Sequence, residues 1–380
     1  MAAFEATFID VGHGDATLIK TPDDRYILID VRRCPGEGID LFKFLDDVLL
    51  EGDDGRKRID ILVITHAHDD HITGIGDLYD RYQVIELWWP QHGKKLAIAG
   101  NYEQFERVEE EHRAAHEDDI DEYLKYPQGS RSHWTTFADD EVTVRCFSPP
   151  GFIDPEEELD EDEAKRVVHE NCMVLKFSYK GCAIMLTGDS NKDCWERIVS
   201  YYEGRTEEEG TEVLQCQVLH ASHHGSRTFV KDSKNDDAYR EALDLIDPEF
   251  VLISVGPDSK HDHPHDDMLK IYEDQAGEDN VLQSCASGTV RLEIDESGEV
   301  RLVDNEGERY AEDYGWDDAD DDKDADDDDG GGGLRKAAIV GGAVTAGALA
   351  ARKARSTPPA RPAPGHEKTK QQPLRRERYG

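Results

Sequence analysis

Three imidazoles and a carboxylate fall within six residues, at His66, His68, Asp70 and His71. Imidazole nitrogen and carboxylate oxygen are the donors Zn²⁺ prefers, and they also suit Mn²⁺ or Fe²⁺. The run Thr65-His66-Ala67-His68-Asp69-Asp70-His71 follows the apolar stretch Ile59–Ile64, which reads as a buried strand. A loop leaving a strand end can aim several side chains at one point, so the spacing predicts a metal site there. Further polar motifs follow other β-like stretches in the same way. They are Leu186-Thr187-Gly188-Asp189, Leu219-His220-Ala221-Ser222-His223-His224-Gly225-Ser226 and His263-Pro264-His265. Near the start, Gly12-His13-Gly14-Asp15 follows the run Phe4–Ile9. No G-x-S-x-G elbow, P-loop or dinucleotide fingerprint is present, and no cysteine sits beside a plausible base in the sequence.

The H-x-H-x-D-H arrangement resembles the signature of the metallo-β-lactamase superfamily, and the likeness spans most of residues 4–300. Phe8 to Ala16 is similar to the opening strand and loop of the branch related to the competence protein ComEC/Rec2, where a Gln is usual at the place of His13. Ile27-Leu28-Ile29-Asp30 resembles the next strand, without the usual glycine after the aspartate, and the HHGS and HPH elements also match that branch. The resemblance implies a four-layer αββα sandwich of the α/β class that binds two divalent metal ions, Zn²⁺ or else Mn²⁺ or Fe²⁺. It implies that His66 and His68 bind the first ion and Asp70 and His71 the second, with Asp189 between them and His223 or His224 completing the second site. The third histidine of the first site stays open. His169 stands where it would fall, while Asn171-Cys172 matches an Asn-Ser element that replaces it in the branch.

Two such ions, about 3.5–4 Å apart, would supply an activated water and neutralise charge building on a substrate. Asp70 or Asp189 is then a candidate to orient the nucleophile, and His263 or His265 to bind a phosphate oxygen or protonate a leaving group. Ser226, through its backbone N–H, and Asp15 are further substrate-binding candidates; a simple Gly-Ser turn explains Ser226 equally. The branch favours phosphodiester substrates, DNA among them, so the expected function is a phosphodiesterase or nuclease. The alternatives are hydrolysis of a carboxylic ester, lactone or amide, and a non-catalytic metal-binding interaction module.

The elements that must position these residues are legible as β-like runs. They cover Phe4–Ile9, Thr17–Ile19, Ile27–Ile29, Asp60–Ile64, Val84–Trp88, Val142–Phe147, Met173–Phe177, Ala183–Leu186, Leu214–Leu219, Phe250–Ser254 and Val290–Ile294. Helical patterns lie between them, as at Ile39–Leu50 and Asp193–Tyr202. Together they predict a metallohydrolase body over residues 1–304, with a charged insertion at 93–140 and a mobile acidic loop at Asp154–Glu163. Beyond it the chain reads as a disordered Asp/Gly linker (305–333), an Ala/Gly-rich apolar segment (334–351) and a basic Pro-rich tail (352–380). The uninterrupted run Ala337–Ala351 would reach about 22 Å as a helix, short of a hydrocarbon core of about 30 Å. Its basic flanks leave membrane contact through 334–355 as one reading and an oligomerisation helix or low-complexity tail as the other.

The chain has 380 residues and a formal net charge of −41. Such a surface repels nucleic-acid phosphates on average, so a nucleic acid would have to be drawn in locally. Seven cysteines without a CxxC pair, most inside apolar runs, read as reduced core thiols of a cytoplasmic protein. The first residues lack the basic and apolar regions of a signal peptide. The oligomeric state has no signature in the sequence.

Overall fold

A computed structural model describes residues 2–316 except 94–95, 97–98, 130–133, 139–140, 156–158, 204–209, 258, 260, 304–309 and 311–312. The strands are β1 (Ala2–Phe8), β2 (Thr17–Lys20), β3 (Tyr26–Ile29), β4 (Arg58–Val63), β5 (Gln83–Trp88), β6 (Leu124–Lys125), β7 (Trp134–Phe137), β8 (Val142–Ser148), β9 (Val174–Tyr179), β10 (Cys182–Leu186), β11 (Val218–His220), β12 (Phe250–Ile253), β13 (Val281–Gln283), β14 (Val290–Asp295) and β15 (Val300–Val303). The helices are α1 (Leu41–Val48), α2 (Asp69–Ile72), α3 (Ile75–Arg81), α4 (Tyr102–Ala115), α5 (Ile120–Tyr123), α6 (Glu161–Glu170), α7 (Lys192–Tyr202), α8 (Glu241–Ile246), α9 (Asp266–Ala276) and α10 (Ser284–Ser287).

Two sheets result. One has eight strands in the order β15-β14-β1-β2-β3-β4-β5-β6, and the other seven in the order β13-β12-β11-β10-β9-β8-β7. Strand alternation decides which layer each side chain joins. In β4, Ile61 and Val63 enter the core between the sheets, whereas Leu62 faces the helical layer of the first sheet. In β10, Cys182, Ile184 and Leu186 face the first sheet, while Ala183 and Met185 pack with Trp195, Ile198 and Val199 of α7. Each fully buried Leu or Ile contributes about 1.5–3 kcal/mol, so these three stacked cores dominate the drive to fold. Four layers, helix–sheet–sheet–helix, follow directly, as the resemblance implies.

Several details differ from the sequence pattern. The described residues of the expected insertion at 93–140 pack on the body. They supply α4 and α5, extend the first sheet with β6 and the second with β7, and bury Phe105, Val108 and Leu124 in the helix-side core. The acidic stretch Asp154–Glu163 ends in helix, because Asp160 caps the backbone N–H of Glu163 while the Glu163 carboxylate accepts from the Asp160 N–H. Past Asp304, where the composition turns acidic, Tyr310 and Tyr314 are buried and pack edge-on against Phe44. The Tyr314 carbonyl accepts from Asp40 N–H at 2.8 Å, its hydroxyl donates to Asp47 at 2.7 Å, and Trp316 Nε1 donates to the Glu37 carbonyl. Two tyrosines thus carry the folded body to at least Trp316. The rest of the expected linker, segment 334–351 and tail 352–380 lie outside the described residues. Among the described residues, no helix is long and apolar enough to cross a membrane, and all seven cysteines are free.

Candidate metal centre

Carboxyl ends of strands from both sheets meet at one edge of the sandwich. β4 runs through Ile64 into the loop carrying Thr65 to His71; β10 delivers Asp189; β11 delivers His223 and His224. Backbone hydrogen bonds knit these loops together: Asp15 N–H to Asp70 O (3.1 Å), Val31 N–H to His71 O (2.9 Å), Met173 N–H to Thr65 O (2.9 Å) and His223 N–H to Gly188 O (3.0 Å). His223 and His224 both adopt left-handed φ, 50° and 53°. That costs on the order of 1–2 kcal/mol per non-glycine residue, held here by the surrounding packing.

Asp189 lies at the centre. Its Oδ2 is 3.6 Å from His66 Nε2, 3.6 Å from His169 Nε2 and 3.5 Å from His223 Nε2. Its Oδ1 is 3.2 Å from His71 Nε2 and 3.7 Å from His224 Nε2. Two donor sets therefore share this carboxylate. In the first, His68 Nδ1 is 3.1 Å from His66 Nε2 and 3.0 Å from His169 Nε2. Three nitrogens at tetrahedral corners about 2.0–2.1 Å from a Zn²⁺ would stand about 3.3 Å apart, so this spacing fits a cation. In the second, Asp70 Oδ2 is 3.3 Å from His224 Nε2 and Asp70 Oδ1 is 3.9 Å from His71 Nε2. His71 Nε2 and Asp189 Oδ1 are buried and face each other at 3.2 Å without a well-aligned hydrogen bond, a gap between donor atoms that a bound cation would fill.

His169 is therefore brought into the first set. It reaches it from the last turn of α6, whose residues Ala164 and Val168 are buried. His224 belongs to the second set. His223 sits on the other side of Asp189, with its ring 4.5 Å from that of His169 and its Nδ1 2.9 Å from Thr228 Oγ1. The accessible mouth is marked by Asp70, whose side chain is 26% exposed, His223 at 20% and His169 at 13%, against 0–2% for His71, His66, His224 and Asp189.

Two candidates are placed differently from the sequence expectation. Ser226 N–H donates to the His223 carbonyl at 2.8 Å and its hydroxyl caps Thr228, so this N–H is committed to the turn and is not free for a substrate oxygen. Asp15 is buried behind the second set, 3.7 Å from His224 Nδ1, 3.6 Å from His220 Nε2 and 3.8 Å from His71 Nδ1, rather than facing the mouth. His263 packs edge-on 5.3 Å from His223 and 4.9 Å from His265, and His265 Nδ1 accepts from Arg227 N–H at 3.1 Å.

Supporting residues surround the two sets. Asp30 accepts from Thr65 N–H and Thr65 Oγ1, both at 2.7 Å, and lies 2.8 Å from His71 Nδ1, fixing which His71 nitrogen faces the centre. It is the aspartate that ends the motif Ile27-Leu28-Ile29-Asp30, where the resemblance puts a carboxylate near the metals. Asp69, inside the histidine motif, instead accepts from Gly100 N–H, Asn101 N–H and Asn101 Nδ2, tying the motif to the start of α4. Cys172 Sγ accepts from Asp189 N–H at 3.3 Å and approaches His66 Nδ1 at 3.6 Å. Burial, then the Asp189 charge, holds its thiol protonated, so it packs and positions.

Electrostatics separate the two sets. Burial, reinforced by neighbouring imidazoles, drives His66 far below the ordinary histidine range, and His169 likewise. Burial brings His68 down to about 4 against the pull of Asp70 and Asp189. In the second set burial also disfavours the cation, but carboxylates outweigh it. Asp189, Asp30 and Asp70 push His71 well up, and Asp15, Asp189 and Asp70 bring His224 to about 9. Burial opposes ionisation of Asp70 and Asp189, yet their histidine partners keep both well below the usual carboxylate range.

The sequence pattern of the Metallo-beta-lactamase superfamily matches residues 9–235, more than half of the chain, and the chain belongs to that superfamily, a class of metal-dependent hydrolases. Among characterised relatives, ComE operon protein 3 of Bacillus subtilis (strain 168) is 23% identical over 297 residues, which is 76% of this chain and 32% of that protein. The chain thus spans about a third of that relative's length. Similar solved structures include the metallo-beta-lactamase fold protein YhfI from Bacillus subtilis, 13% identical with a TM-score of 0.41, covering 79% of this chain and 100% of that one. Igni18, a metallo hydrolase from the archaeon Ignicoccus hospitalis KIN4/I, is 13% identical with a TM-score of 0.39 over 79% of this chain and 98% of that one.

Proposed function

We propose that the protein hydrolyses phosphodiester bonds, with two divalent cations held on either side of Asp189. The observation that carries this reading is the single buried carboxylate facing two donor sets, His66–His68–His169 on one oxygen and His71–His224 on the other. When bound, such a pair of cations acidifies water and neutralises the charge of a phosphoryl group. The likeness to ComE operon protein 3, whose name points to competence, supports a nucleic acid or related phosphodiester as substrate.

The chain's own groups divide the remaining work. Asp189 has both oxygens surrounded by buried imidazoles, which suits bridging and leaves nothing for an entering water. Asp70 is the carboxylate at the mouth, so it orients the nucleophile. Burial, then His223, His224 and His265, brings His263 down to about 2, so it is neutral near pH 7. A neutral imidazole suits donation of a hydrogen bond to a phosphoryl oxygen better than protonation of a leaving group. His265 receives the Arg227 N–H on Nδ1, which leaves its Nε2–H to donate outward.

The test is turnover of bis-p-nitrophenyl phosphate, cyclic nucleotides and single-stranded DNA by full-length protein supplied with Zn²⁺, Mn²⁺ or Fe²⁺. Cleavage that disappears in Asp70→Asn and His68→Ala is expected. Metal-loaded protein that leaves all three untouched but opens a carboxylic ester, lactone or amide would replace this reading.

A further inference from the structure

We propose that His13 is a further ligand of the second cation, joining Asp70 and His224, an inference that rests on the two donor sets holding metal. His13 stands on the loop between β1 and β2. A ring nitrogen of His13, an oxygen of Asp70 and a nitrogen of His224 all lie within 4.8 Å of one another. The His13 ring is 4.6 Å from the His224 ring, and its Nδ1 is buried without a hydrogen-bond partner. An imidazole beside Asp70 and His224 that carries a buried, unpartnered ring nitrogen is suited to ligation.

The loop is fixed, so this placement is not incidental. Asp15 N–H donates to the Asp70 carbonyl at 3.1 Å. A Cβ at Gly14 would meet that same carbonyl at 2.5 Å, and a Cβ at Gly256 would come within 3.0 Å of the His13 backbone nitrogen. Only glycine lets the loop lie this close to Asp70, and the turn delivers His13 beside it. His13 N–H also donates to Glu37 at 3.3 Å.

His224 Nδ1 is committed to the Ser254 carbonyl at 2.9 Å, which leaves only Nε2 for a cation. The group His13–Asp70–His224 and the group Asp15–His71–Asp189–His224 share His224, so its one available nitrogen can serve only one ion. An additional imidazole raises the nitrogen share of a carboxylate-rich site. That favours Zn²⁺, Co²⁺ or Fe²⁺ there over Mn²⁺ or Mg²⁺, whose preference is oxygen.

The test uses full-length, metal-free protein and its His13→Gln variant. Zn²⁺ is titrated against a competing chelator with ions counted by elemental analysis, and the visible spectrum is followed on adding Co²⁺. Wild type should bind two ions. His13→Gln should keep the first and hold the second at least about 10-fold more weakly, with the Co²⁺ band of the second equivalent shifted. A measurement on wild type alone avoids any folding defect: on loading with ¹¹³Cd²⁺, the His13 ring nitrogen should show scalar coupling to the metal. An unchanged second equivalent in His13→Gln, or absent coupling with two ions bound, overturns the assignment of His13 alone. Wild type binding fewer than two ions overturns this inference together with the two-cation reading beneath it.

Discussion

The two halves of the metal centre are built from opposite electrostatic materials. On the His66–His68–His169 side, buried imidazoles crowd one another, and burial keeps all three uncharged well below neutral pH. On the His71–His224 side, Asp15, Asp30, Asp70 and Asp189 surround the rings and hold protons on them above it. The first half is a set of ready lone pairs. The second is a preformed network of histidinium and carboxylate that a cation must enter by displacing protons. On the proposed reading, one sandwich edge carries a site poised to bind and a site that binds in exchange for protons, joined through Asp189.

The strongest challenge to this contrast is removal of the joint. Asp189→Asn should weaken both ions and reduce turnover of a phosphodiester on the order of 10³-fold or more, because both cations contribute to stabilising transition-state charge. Elemental analysis and steady-state kinetics read the two effects. Loss of one ion only would mean that Asp189 does not join the halves.

A narrower change should affect one half. His169→Ala should weaken the first ion by more than about 100-fold, since even outer supporting residues are worth about 10–100-fold, and leave the second in place. Competition titration with a chelator separates the two equivalents. Asp30→Asn should act on the opposite half. It removes the carboxylate 2.8 Å from His71 Nδ1 and should cost the second ion about 10–100-fold without touching the first.

The smallest expected effect is on pH. His224 in the metal-free protein sits near 9, above its ordinary 6.5. A folded value raised above the unfolded one contributes stability that is complete below about 6.5 and disappears as pH climbs through about 9. Thermal melts of the metal-free chain should therefore fall across pH 7–9.5. Affinity of the second ion should rise over the same interval as its protons are lost, while that of the first stays level. Calorimetry in buffers of different ionisation enthalpy would count protons released by each ion; equal release from both halves would remove the contrast.

These two halves were unequally legible in the sequence. Ligation demands particular residue types on short loops, so His66, His68, Asp70 and His71 stand out by type and spacing, while Asp189 and the His223–His224 pair stand out through the resemblance to the superfamily. His169 was ambiguous, because its place depends on where α6 ends, and the acidic stretch before α6 hides a capping box. Asp30 and Asp15 were singled out by resemblance, but their contacts with His71 and His224, like that of Cys172 with Asp189, depend on tertiary proximity, which no local pattern records. Four short strands, β6, β7, β13 and β15, were missed because two to four residues at a sheet edge carry too little alternation to register. The aromatic clasp of Tyr310 and Tyr314 on Phe44 was obscured by the acidic residues around it.

Anomalous diffraction from crystals grown with Zn²⁺ would test the shared carboxylate most directly. Two peaks about 3.5–4 Å apart are expected, one touching Oδ1 and the other Oδ2 of Asp189. A single peak, or two that leave Asp189 without contact to one of them, would contradict the account.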